Sequence, residues 1–358
     1  MIITTDIGIN KSVLKSFGGQ ENRAVPLAFP EHSTTAGMEH KLGHILDSFG
    51  DRQRLRAVSL LLQFGENPVA GPCRVDDKFI ENYSKQAQAF PLYVPAAARL
   101  LKLFKNVCGS LPLFAFSDMS FFSLLPEHQR TYPVPASCLI EGPVKFGIHG
   151  LYHSYHATLC GAGKKIVSVV IDRHTTVSGI RGSAPESVSL GFTPLEGIMS
   201  QRSCGDIDPG IIVCLLKEPG YSIYKIDELL KEKSGFLGMT GYTAPLDELI
   251  KLYGKDDKVT LAFKVYKNQL LKYIGAAIAA LGGIDAIVFG GCYAPALSQV
   301  IYMLLKDIAF LGMSLKEMPW ANDTLSGLTV ESSQRQAYLS RMDRLEIVNL
   351  DTRKLLEK

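Results

Sequence analysis

Apolar and β-branched runs divide the chain into two halves that open with the same pair of elements. In the first half, Ile2–Thr5 and Ser12–Phe17 predict a hairpin of two strands. In the second half, Lys165–Ile171 predicts a strand, and Val177–Ile180 predicts a second strand that pairs back with it. The repeated opening indicates that the two halves arose by duplication.

Other runs are almost continuously apolar, which is typical of buried strands. These predicted strands are Arg56–Phe64, Leu113–Asp118 and Ala286–Phe289. Asp118 therefore stands where the chain leaves one buried strand, and Gly290 and Gly291 stand where it leaves another.

Apolar residues at helical spacing predict helices in both halves. The predicted helices are Val94–Leu103, Ile211–Leu216, Ile226–Lys231, Val259–Leu281 and Leu297–Leu311. The glycine pair after Leu281 is a typical helix stop. The final run, Arg344–Asn349, predicts a last strand.

A proline-rich loop leads to Gly147–Gly150, where we place the domain boundary. The predicted domains are residues 1–145, with residues 340–358 packing back onto them, and residues 146–339. At 358 residues the chain is long for one domain and comfortable for two. The alternation of strands and helices predicts an α/β protein.

The composition excludes several function classes. Apolar residues make up 46% of the chain and charged residues 20%, with a formal net charge of +3. Since lysines and arginines are scattered, nucleic acid and anionic membranes are not expected partners. Tyr273–Gly291 is long and apolar, but two glycines and Asp285 interrupt it, so it predicts a helix, a turn and a strand.

Seven cysteines are dispersed along the chain, odd in number and never spaced CxxC. This pattern argues against a disulfide framework and a structural zinc site, and it favours a reducing cytoplasm. The first residues lack the basic flank and long apolar run of a signal peptide. We therefore expect a cytoplasmic location.

Several longer motifs occur in a fixed order from one end of the chain to the other. They are Phe146-Gly-Ile-His-Gly150 with His153, Gly191-Phe-Thr-Pro-Leu-Glu-Gly197, Gly205-Asp-Ile-Asp-Pro209, Lys233-Ser-Gly-Phe-Leu-Gly238, the run Ala280–Gly291, and Phe310-Leu-Gly312. This order resembles the acetokinase family of the sugar-kinase/Hsp70/actin superfamily.

The resemblance implies two ribonuclease-H-like (actin-like ATPase) domains with a central interdomain cleft for the nucleotide, and a homodimer. It also implies ATP-dependent phosphoryl transfer to a short-chain carboxylate, with ATP/ADP and Mg²⁺ as cofactors. Donor, acceptor and transferred group are all anionic in such a reaction. Catalysis is therefore mostly positioning and neutralisation of charge.

The family's catalytic positions fall on three residues of this chain. Asp118, after Phe-Ala-Phe-Ser, matches the catalytic aspartate, and His149 in Gly-Ile-His-Gly matches the histidine that contacts the transferring phosphoryl group. An ungapped match puts Ser203 at the position of a catalytic arginine, and Arg202 is its neighbour. A shift of the loop by one residue would bring Arg202 into that role.

The resemblance also carries over cofactor residues. Asp6, Gly8 and Lys11 belong to the first phosphate-binding motif, and Asp6 is the superfamily's metal-holding aspartate. Arg173 lies in the second phosphate motif, while Gly290 and Gly291 begin the adenosine loop. Asp351 is the candidate substitute for a metal-linked glutamate pair near the C-terminus.

Several of the family's functional groups are replaced. Leu61 stands at the position of another catalytic arginine, Tyr93 at that of a second histidine, and Val170–His174 lacks both glycines of the second phosphate motif. Three hypotheses follow. The chain is a pseudokinase with weak or no acetate kinase activity, an active phosphotransferase for a different acid or donor, or a scaffold subunit of an active paralogue.

His149, His153 and His156 have i, i+4, i+7 spacing, which would place three imidazoles on one helix face. A zinc site is one interpretation of this spacing. The other interpretation is that the first two histidines belong to the family's Gly-x-His-Gly-x-x-His pattern, which is not a metal site.

Overall fold

The computed structural model describes residues 1–7, 12–18, 23–28, 34–63, 65, 71–88, 93–138 and 143–357. The chain forms two compact units, one of Met1–Leu124 with Asp343–Lys358 and one of Leu125–Met342. Residues 125–145, which we expected in the first domain, lie in the second unit. They are held there because Lys145 forms an ion pair with Glu196 and Tyr132 donates a hydrogen bond to the same carboxylate.

The first unit is built on a mixed sheet that has six strands among the described residues, in the order β3-β2-β1-β4-β6-β5. Its strands are β1 Ile2–Ile7, β2 Ser12–Phe17, β3 Ala24–Leu27, β4 Ala57–Leu62, β5 Cys73–Arg74 and β6 Leu113–Ser117. β1, β4 and β6 run parallel, while β2, β3 and β5 are antiparallel to their neighbours. The predicted opening hairpin is therefore confirmed.

Helices cover both faces of this sheet. They are α1 Thr35–Ser48, α2 Asp77–Ser84, α3 Val94–Cys108 and α12 Arg344–Leu356. Val58, Leu60 and Leu62 of β4 pack into the core formed with α1, α2 and α3. Ser59, on the opposite face of the strand, bonds Thr352 of α12 at 2.7 Å.

Residues 344–349 form the start of α12, so our prediction of a strand there is wrong. Asp343 caps the helix, and the side chain of Glu346 reaches back to the backbone of Asp343. This reciprocal pair is a capping box, which stabilises the first helical turn. Leu345, Val348 and Thr352 are buried at intervals of three and four residues, as helical packing requires.

The second unit repeats the plan of the first. Its sheet also has six strands among the described residues, in the order β11-β12-β10-β7-β8-β9, and β7, β10 and β12 run parallel. The strands are β7 Lys165–Ile171, β8 Thr175–Arg181, β9 Ala184–Val188, β10 Ala286–Gly290, β11 Leu325–Gly327 and β12 Gln336–Ser340. The shared plan agrees with duplication.

Eight helices of the second unit lie within the described ranges. They are α4 Glu127–Arg130, α5 Gly150–Leu159, α6 Pro209–Leu215, α7 Ile223–Glu232, α8 Gly235–Thr240, α9 Leu246–Leu249, α10 Asp257–Leu281 and α11 Ser298–Asp307. Short 3₁₀ turns are found at Arg52–Arg54, Lys85–Gln88, Ser120–Leu124, Ala136–Cys138, Ile250–Leu252 and Ala309–Leu311.

α10 is the central helix of the second core, and local signals fix both its ends. The side chain of Asp256 accepts from the backbone of Val259 at the start, and Gly282 adopts the left-handed conformation at the end. Buried residues such as Phe263, Tyr266 and Leu270 line its inner face. In the part of the chain that the structure describes, this and every other helix fall short of what crossing a bilayer requires.

Candidate functional site

The parallel strands β1, β4 and β6 end at one edge of the first sheet, and polar side chains follow each of them. Asp6 lies near the end of β1, Gln63 follows β4, and Asp118 follows β6. The Asp118 backbone donates to the Leu62 carbonyl at 3.0 Å, and its side chain is buried. Carboxyl ends of parallel strands are a usual location for ligand sites in α/β sheets.

Asp6 is held by donors from the protein itself. Its carboxylate forms a close ion pair with the guanidinium of Arg344, at the start of α12. The amide nitrogen of Gln63 lies 3.0 Å from each carboxylate oxygen of Asp6. Only 8% of Asp6 is exposed, whereas 31% of the Arg344 side chain is exposed, so a buried carboxylate meets a half-buried counter-ion.

These residues do not fit a magnesium site. Mg²⁺ needs oxygen ligands at about 2.0–2.1 Å in octahedral geometry. Asp6 faces a guanidinium and an amide donor, and Asp351 forms an ion pair with Lys354 at 2.8 Å. Within the described ranges, no group of three or more His, Cys, Asp or Glu side chains could hold a metal ion. That result also disfavours zinc at the three histidines.

The replaced arginine position on β4 is deeply buried. Leu61 has no exposed surface and lies beside Asp6 in the register of β1 and β4. Tyr93, at the expected second histidine position, is the residue that precedes α3. Neither side chain supplies a positive charge to this unit. Gly8 and Lys11 lie outside the described residues.

In the second unit, His149 has an unusual backbone. It precedes α5 with φ of 65°, and among the described residues it is the one non-glycine with positive φ. This left-handed conformation costs roughly 1–2 kcal/mol for a residue with a Cβ. Retained strain of this kind is typical of functional positions. Nδ1 of His149 is 2.9 Å from the Thr176 hydroxyl, which helps to orient the ring.

His149 is one end of a chain of buried hydrogen bonds. His153 contacts the Thr176 hydroxyl through Nε2 at 2.9 Å and the Ser168 hydroxyl through Nδ1 at 2.7 Å. His156 contacts the same Ser168 hydroxyl through Nδ1, also at 2.7 Å. The three imidazoles thus lie together, as the spacing predicts, but hydroxyl groups connect them.

Most of this series of hydrogen-bonded side chains carries no charge at neutral pH. Burial lowers the pKa of His156 to about 3, and burial, with smaller effects of His156 and His149, lowers the pKa of His153 well below its usual value. A neutral imidazole carries one proton and a hydroxyl carries one. All four hydrogen bonds therefore form only when they run in the same direction along the chain.

The surroundings of His156, the last member of this series, favour one direction of the hydrogen bonds. Its Nε2 has no hydrogen-bond partner, and a buried N–H without an acceptor is rarer than an unused acceptor. His156 is therefore best accommodated with its proton on Nδ1, donating to Ser168. Thr176 then donates to Nδ1 of His149, which places the His149 proton on Nε2 and makes this nitrogen a donor.

His149 and several charged side chains lie in the electrostatic surroundings of His174. His174 has its pKa lowered to about 4, mainly by burial and further by His149 and Arg173, while Asp172 and Glu232 oppose the shift. Arg202 forms an ion pair with Glu232 at 3.5 Å, with about half of each side chain exposed. His149, Arg173 and Glu232 therefore all influence His174, and Arg202 is connected to this group through its ion pair with Glu232.

The loop between β9 and α6, which carries Arg202, is anchored by two acidic side chains, the half-buried Glu196 and the exposed Asp206. Glu196 accepts hydrogen bonds from Tyr132 and Lys145, and Asp206 accepts one from Tyr273. Burial and the Asp206 carboxylate raise the pKa of Tyr273, so it stays protonated and donates. Glu196 and Asp206, which belong to two of the motifs found in the sequence, therefore stabilise the conformation of this loop.

Ser203 and Arg202 differ in their surroundings within this loop. Ser203 is buried, and its hydroxyl is 2.6 Å from the Ser200 hydroxyl. The Arg202 backbone is fixed at both ends, because its N–H donates to Ser200 and its carbonyl accepts from Ser234. The guanidinium of Arg202 nevertheless lies at the surface beside Glu232.

Gly290 and Gly291 make room for neighbouring groups of the same unit. A Cβ on Gly290 would lie 2.5 Å from Nε2 of His156, and a Cβ on Gly291 would lie 2.5 Å from the carbonyl oxygen of Ile171. Gly291 also has φ of 95°. Packing inside this unit therefore explains why glycine occupies both positions. These two contacts give no separate evidence that a nucleotide binds here.

Sequence reasoning missed the residues that position the predicted ones. In the first unit these are Gln63 and Arg344, and in the second they are Thr176, Ser168 and Glu232. Serine, threonine and glutamine are common, and their partners are distant in sequence. No local motif distinguishes them.

Comparison with known proteins agrees with the motif order. A family model described as "Acetokinase family" matches residues 3–342. An acetate kinase from Clostridium novyi (strain NT) is 27% identical over 319 residues, covering 86% of this chain and 79% of that protein. An acetate kinase from Clostridium botulinum (strain Alaska E43 / Type E3) is 28% identical over 350 residues, covering 93% and 87%.

Solved structures give the same result for the fold. Porphyromonas gingivalis acetate kinase superposes with a TM-score of 0.87 at 22% identity, covering 99% of each chain. Entamoeba histolytica acetate kinase gives a TM-score of 0.86 at 20% identity over the full length of both chains. The predicted α/β fold with two actin-like ATPase domains is therefore confirmed.

Proposed function

The chain belongs to the acetokinase family, and we propose that it keeps the family's scaffold and anion-binding histidine but has weak or no acetate kinase activity. The observation that carries this proposal is the set of side chains at the arginine positions. Leu61 is fully buried, Ser203 is buried, and Arg202 is neutralised by Glu232. Losing one phosphoryl-clamping arginine costs roughly 10³–10⁵ in rate.

The burial of Leu61 makes this loss difficult to reverse. It lies on the face of β4 that α12 covers, where Ser59 bonds Thr352. A guanidinium at this position would need an open, solvated or anionic environment. The packing around Leu61 therefore supports a lasting loss of the arginine at this position. A shift of the Arg202 loop by one residue would not restore it.

The retained residues are suited to binding an anion. His149 is held by Thr176, and the proposed direction of the hydrogen-bond chain makes its Nε2 nitrogen a donor, which is the group that an anion requires. Arg173 adds positive charge near His174. ATP or ADP and a small carboxylate are the ligands that the family suggests. Mg²⁺ would neutralise phosphate charge when bound, but the Asp6 and Asp351 contacts do not support a site for it.

Two measurements test this proposal. Purified protein with ATP, Mg²⁺ and acetate, propionate or butyrate should give acyl phosphate at least about 10³-fold more slowly than an active family member. Thermal unfolding with ATP, ADP or acetyl phosphate should still show stabilisation by a bound anion. A ligand at 100 times its Kd adds about 2.7 kcal/mol. Robust turnover of any of the three acids would refute the proposal.

The Arg202–Glu232 pair favours a second candidate, an active phosphotransferase with a different acid or donor. An exposed ion pair is worth about 0–1 kcal/mol, so an anionic ligand could displace Glu232 and recruit the guanidinium. A screen of carboxylates and phosphoryl donors would test this. Any activity found should disappear in Asp118→Asn and in His149→Ala, and unchanged turnover in both would reject this candidate.

We also propose that the chain forms a homodimer. α6 has no buried residue, and large apolar side chains on and after it are exposed. They are Ile211, Val213, Leu216, Tyr221, Ile223 and Tyr224. Since large apolar side chains lose free energy by staying in water, this segment suits burial against a second copy of the chain. Light scattering should give the mass of a dimer for the native protein. It should give the mass of a monomer for the double variant Ile223→Asp/Tyr224→Asp.

The third hypothesis, a scaffold for an active paralogue, uses the same surface. Co-expression of the two chains should then yield a stable heteromer, and homodimers alone would count against it. The cytoplasm remains the proposed location, since none of the seven cysteines forms a disulfide in the described structure.

A further inference from the structure

The ion pair between Asp6 and Arg344 carries an inference about the cation at this sheet edge. We propose that the Arg344 guanidinium is the permanent counter-ion of Asp6 and excludes a divalent metal ion from this carboxylate. The inference rests on the contacts of the first unit alone, and it holds whether or not the chain has kinase activity.

The start of α12 delivers Arg344 to a fixed place. Asp343 and Glu346 form the capping box that begins the helix. Lys15 of β2 contacts both acids, at 3.8 Å to Asp343 and 3.3 Å to Glu346. Arg344 lies between these two anchored residues, so its position relative to β1 and β2 is determined by three further charged groups.

The body of α12 is fixed to the same sheet. The Thr352 hydroxyl is fully buried and lies 2.7 Å from the buried Ser59 hydroxyl of β4. Val348 and Ile347 are buried as well. Because the helix is docked along its length, Arg344 cannot withdraw from Asp6 without a rotamer change that breaks the ion pair.

Charge and geometry at Asp6 then oppose a metal. A guanidinium in contact with the carboxylate repels a second cation, and more strongly in a buried setting than in water. Gln63 presents its amide nitrogen to both carboxylate oxygens, so another donor faces the atoms that a metal would need. Mg²⁺ also gives up its water ligands reluctantly. Arg344 is therefore an internal replacement for an exchangeable cation.

The experiment uses Mn²⁺ as the probe, detected by its free-ion electron paramagnetic resonance signal, with no nucleotide or acid present. The native chain and Asp6→Asn should bind Mn²⁺ with equal affinity. Arg344→Gln should gain affinity by at least about tenfold, because removing the opposing charge exposes a buried carboxylate. The gain should be lost in the double variant Arg344→Gln/Asp6→Asn.

Two controls separate this effect from a general change of charge. Arg344→Lys keeps a cation beside Asp6 and should not gain Mn²⁺ affinity. Arg353→Gln removes a positive charge from an exposed position of the same helix and should not gain it either. A gain in either control would overturn the proposal.

Two further outcomes would overturn it. One is a native chain that binds Mn²⁺ at least tenfold more tightly than Asp6→Asn, and the other is a folded Arg344→Gln with no gain. If Arg344→Gln does not fold, the comparison of native protein with Asp6→Asn still decides whether the carboxylate holds a metal. Kinase activity enters none of these measurements, so their outcome is independent of the proposed function.

Discussion

The sheet edge around Asp6 and the histidine chain around His153 bury polar groups in opposite ways. Asp6 stays charged and is matched by the guanidinium of Arg344. His153 and His156 give up charge altogether, because burial lowers the pKa of both. The first arrangement depends on a partner of opposite charge, and the second depends on each imidazole carrying one proton and remaining neutral.

This difference determines which perturbation each region tolerates. Removing one member of a buried ion pair leaves an uncompensated charge, whereas a neutral chain fails when a proton is added or a ring is displaced. Substitution should therefore be most damaging at the ion pair, and acid should act mainly through the histidines. The predictions below test that division, beginning with the largest effect.

Arg344→Gln should destabilise the protein by about 3 kcal/mol, because Asp6 would be left buried without its counter-ion. The 31% exposure of the Arg344 side chain limits the loss. Adding Asp6→Asn should recover most of the stability, since the unpaired charge is then removed. Urea unfolding of the two single variants and the double variant measures this coupling. A double variant no more stable than Arg344→Gln would contradict the explanation.

Gly290→Ala should cost about 2 kcal/mol, because the added methyl group overlaps the buried ring of His156. Its Cβ would lie 2.5 Å from Nε2 and 2.7 Å from Cε1. Gly275→Ala on α10 is the matched control, since no atom lies within 4 Å of its Cβ. Alanine should stabilise that helix by up to about 1 kcal/mol. Equal thermal shifts for both variants would show that the packing reason is mistaken.

Acid should destabilise the protein through His156 below about pH 6.5. Burial lowers the pKa of His156 in the folded protein from 6.5 to about 3. Between pH 6.5 and pH 3 the unfolded chain therefore binds a proton that the folded protein does not, and stability decreases as the pH decreases. The slope for one such histidine is about 1.4 kcal/mol per pH unit. His156→Asn keeps a partner for Ser168 and should remove this slope. Denaturant unfolding at pH 7, 6 and 5 measures it.

An exposed histidine provides the control for the pH series. His128 is exposed in α4, and His128→Asn is the matched control for the substitution itself. A His156→Asn profile that matches the native profile would mean that other groups cause the acid sensitivity.

The Arg202–Glu232 pair should contribute least. About half of each side chain is exposed, so the coupling free energy from a double-mutant cycle should be below about 0.5 kcal/mol. Arg202→Gln, Glu232→Gln and the double variant provide the cycle. A coupling above about 1 kcal/mol would mean that Arg202 is held in place, which would weaken the case for its recruitment by an anionic ligand.

Much of the fold could be predicted because its signals are local. The opening hairpins of both units follow from short apolar runs, and α10 is bounded by Asp256 and Gly282, which act through their own backbone neighbours. The motif order identified the family for the same reason, since each motif is a continuous stretch. The error at residues 344–349 arose where a short apolar run fits either a strand or a helix. A capping box settled it.

The candidate site was less predictable because its polar groups are matched across the fold. Asp6 and His149 were identified as chemically important, yet nothing near them in sequence indicates Arg344 or Thr176 as their partners. Lys15 and Glu346, which help to fix Arg344, are separated by 331 residues. Protonation states are equally non-local, since the burial that keeps His153 and His156 neutral is produced by the whole second unit.

The sequence by itself therefore determined the family, the two repeated α/β units and the residue types available for chemistry. Only the tertiary structure decided which of those residues are neutralised, which are buried and which can still meet a ligand. The physical reason is range: hydrophobic periodicity and capping act within a few residues, whereas charge pairing and desolvation depend on groups that folding brings together.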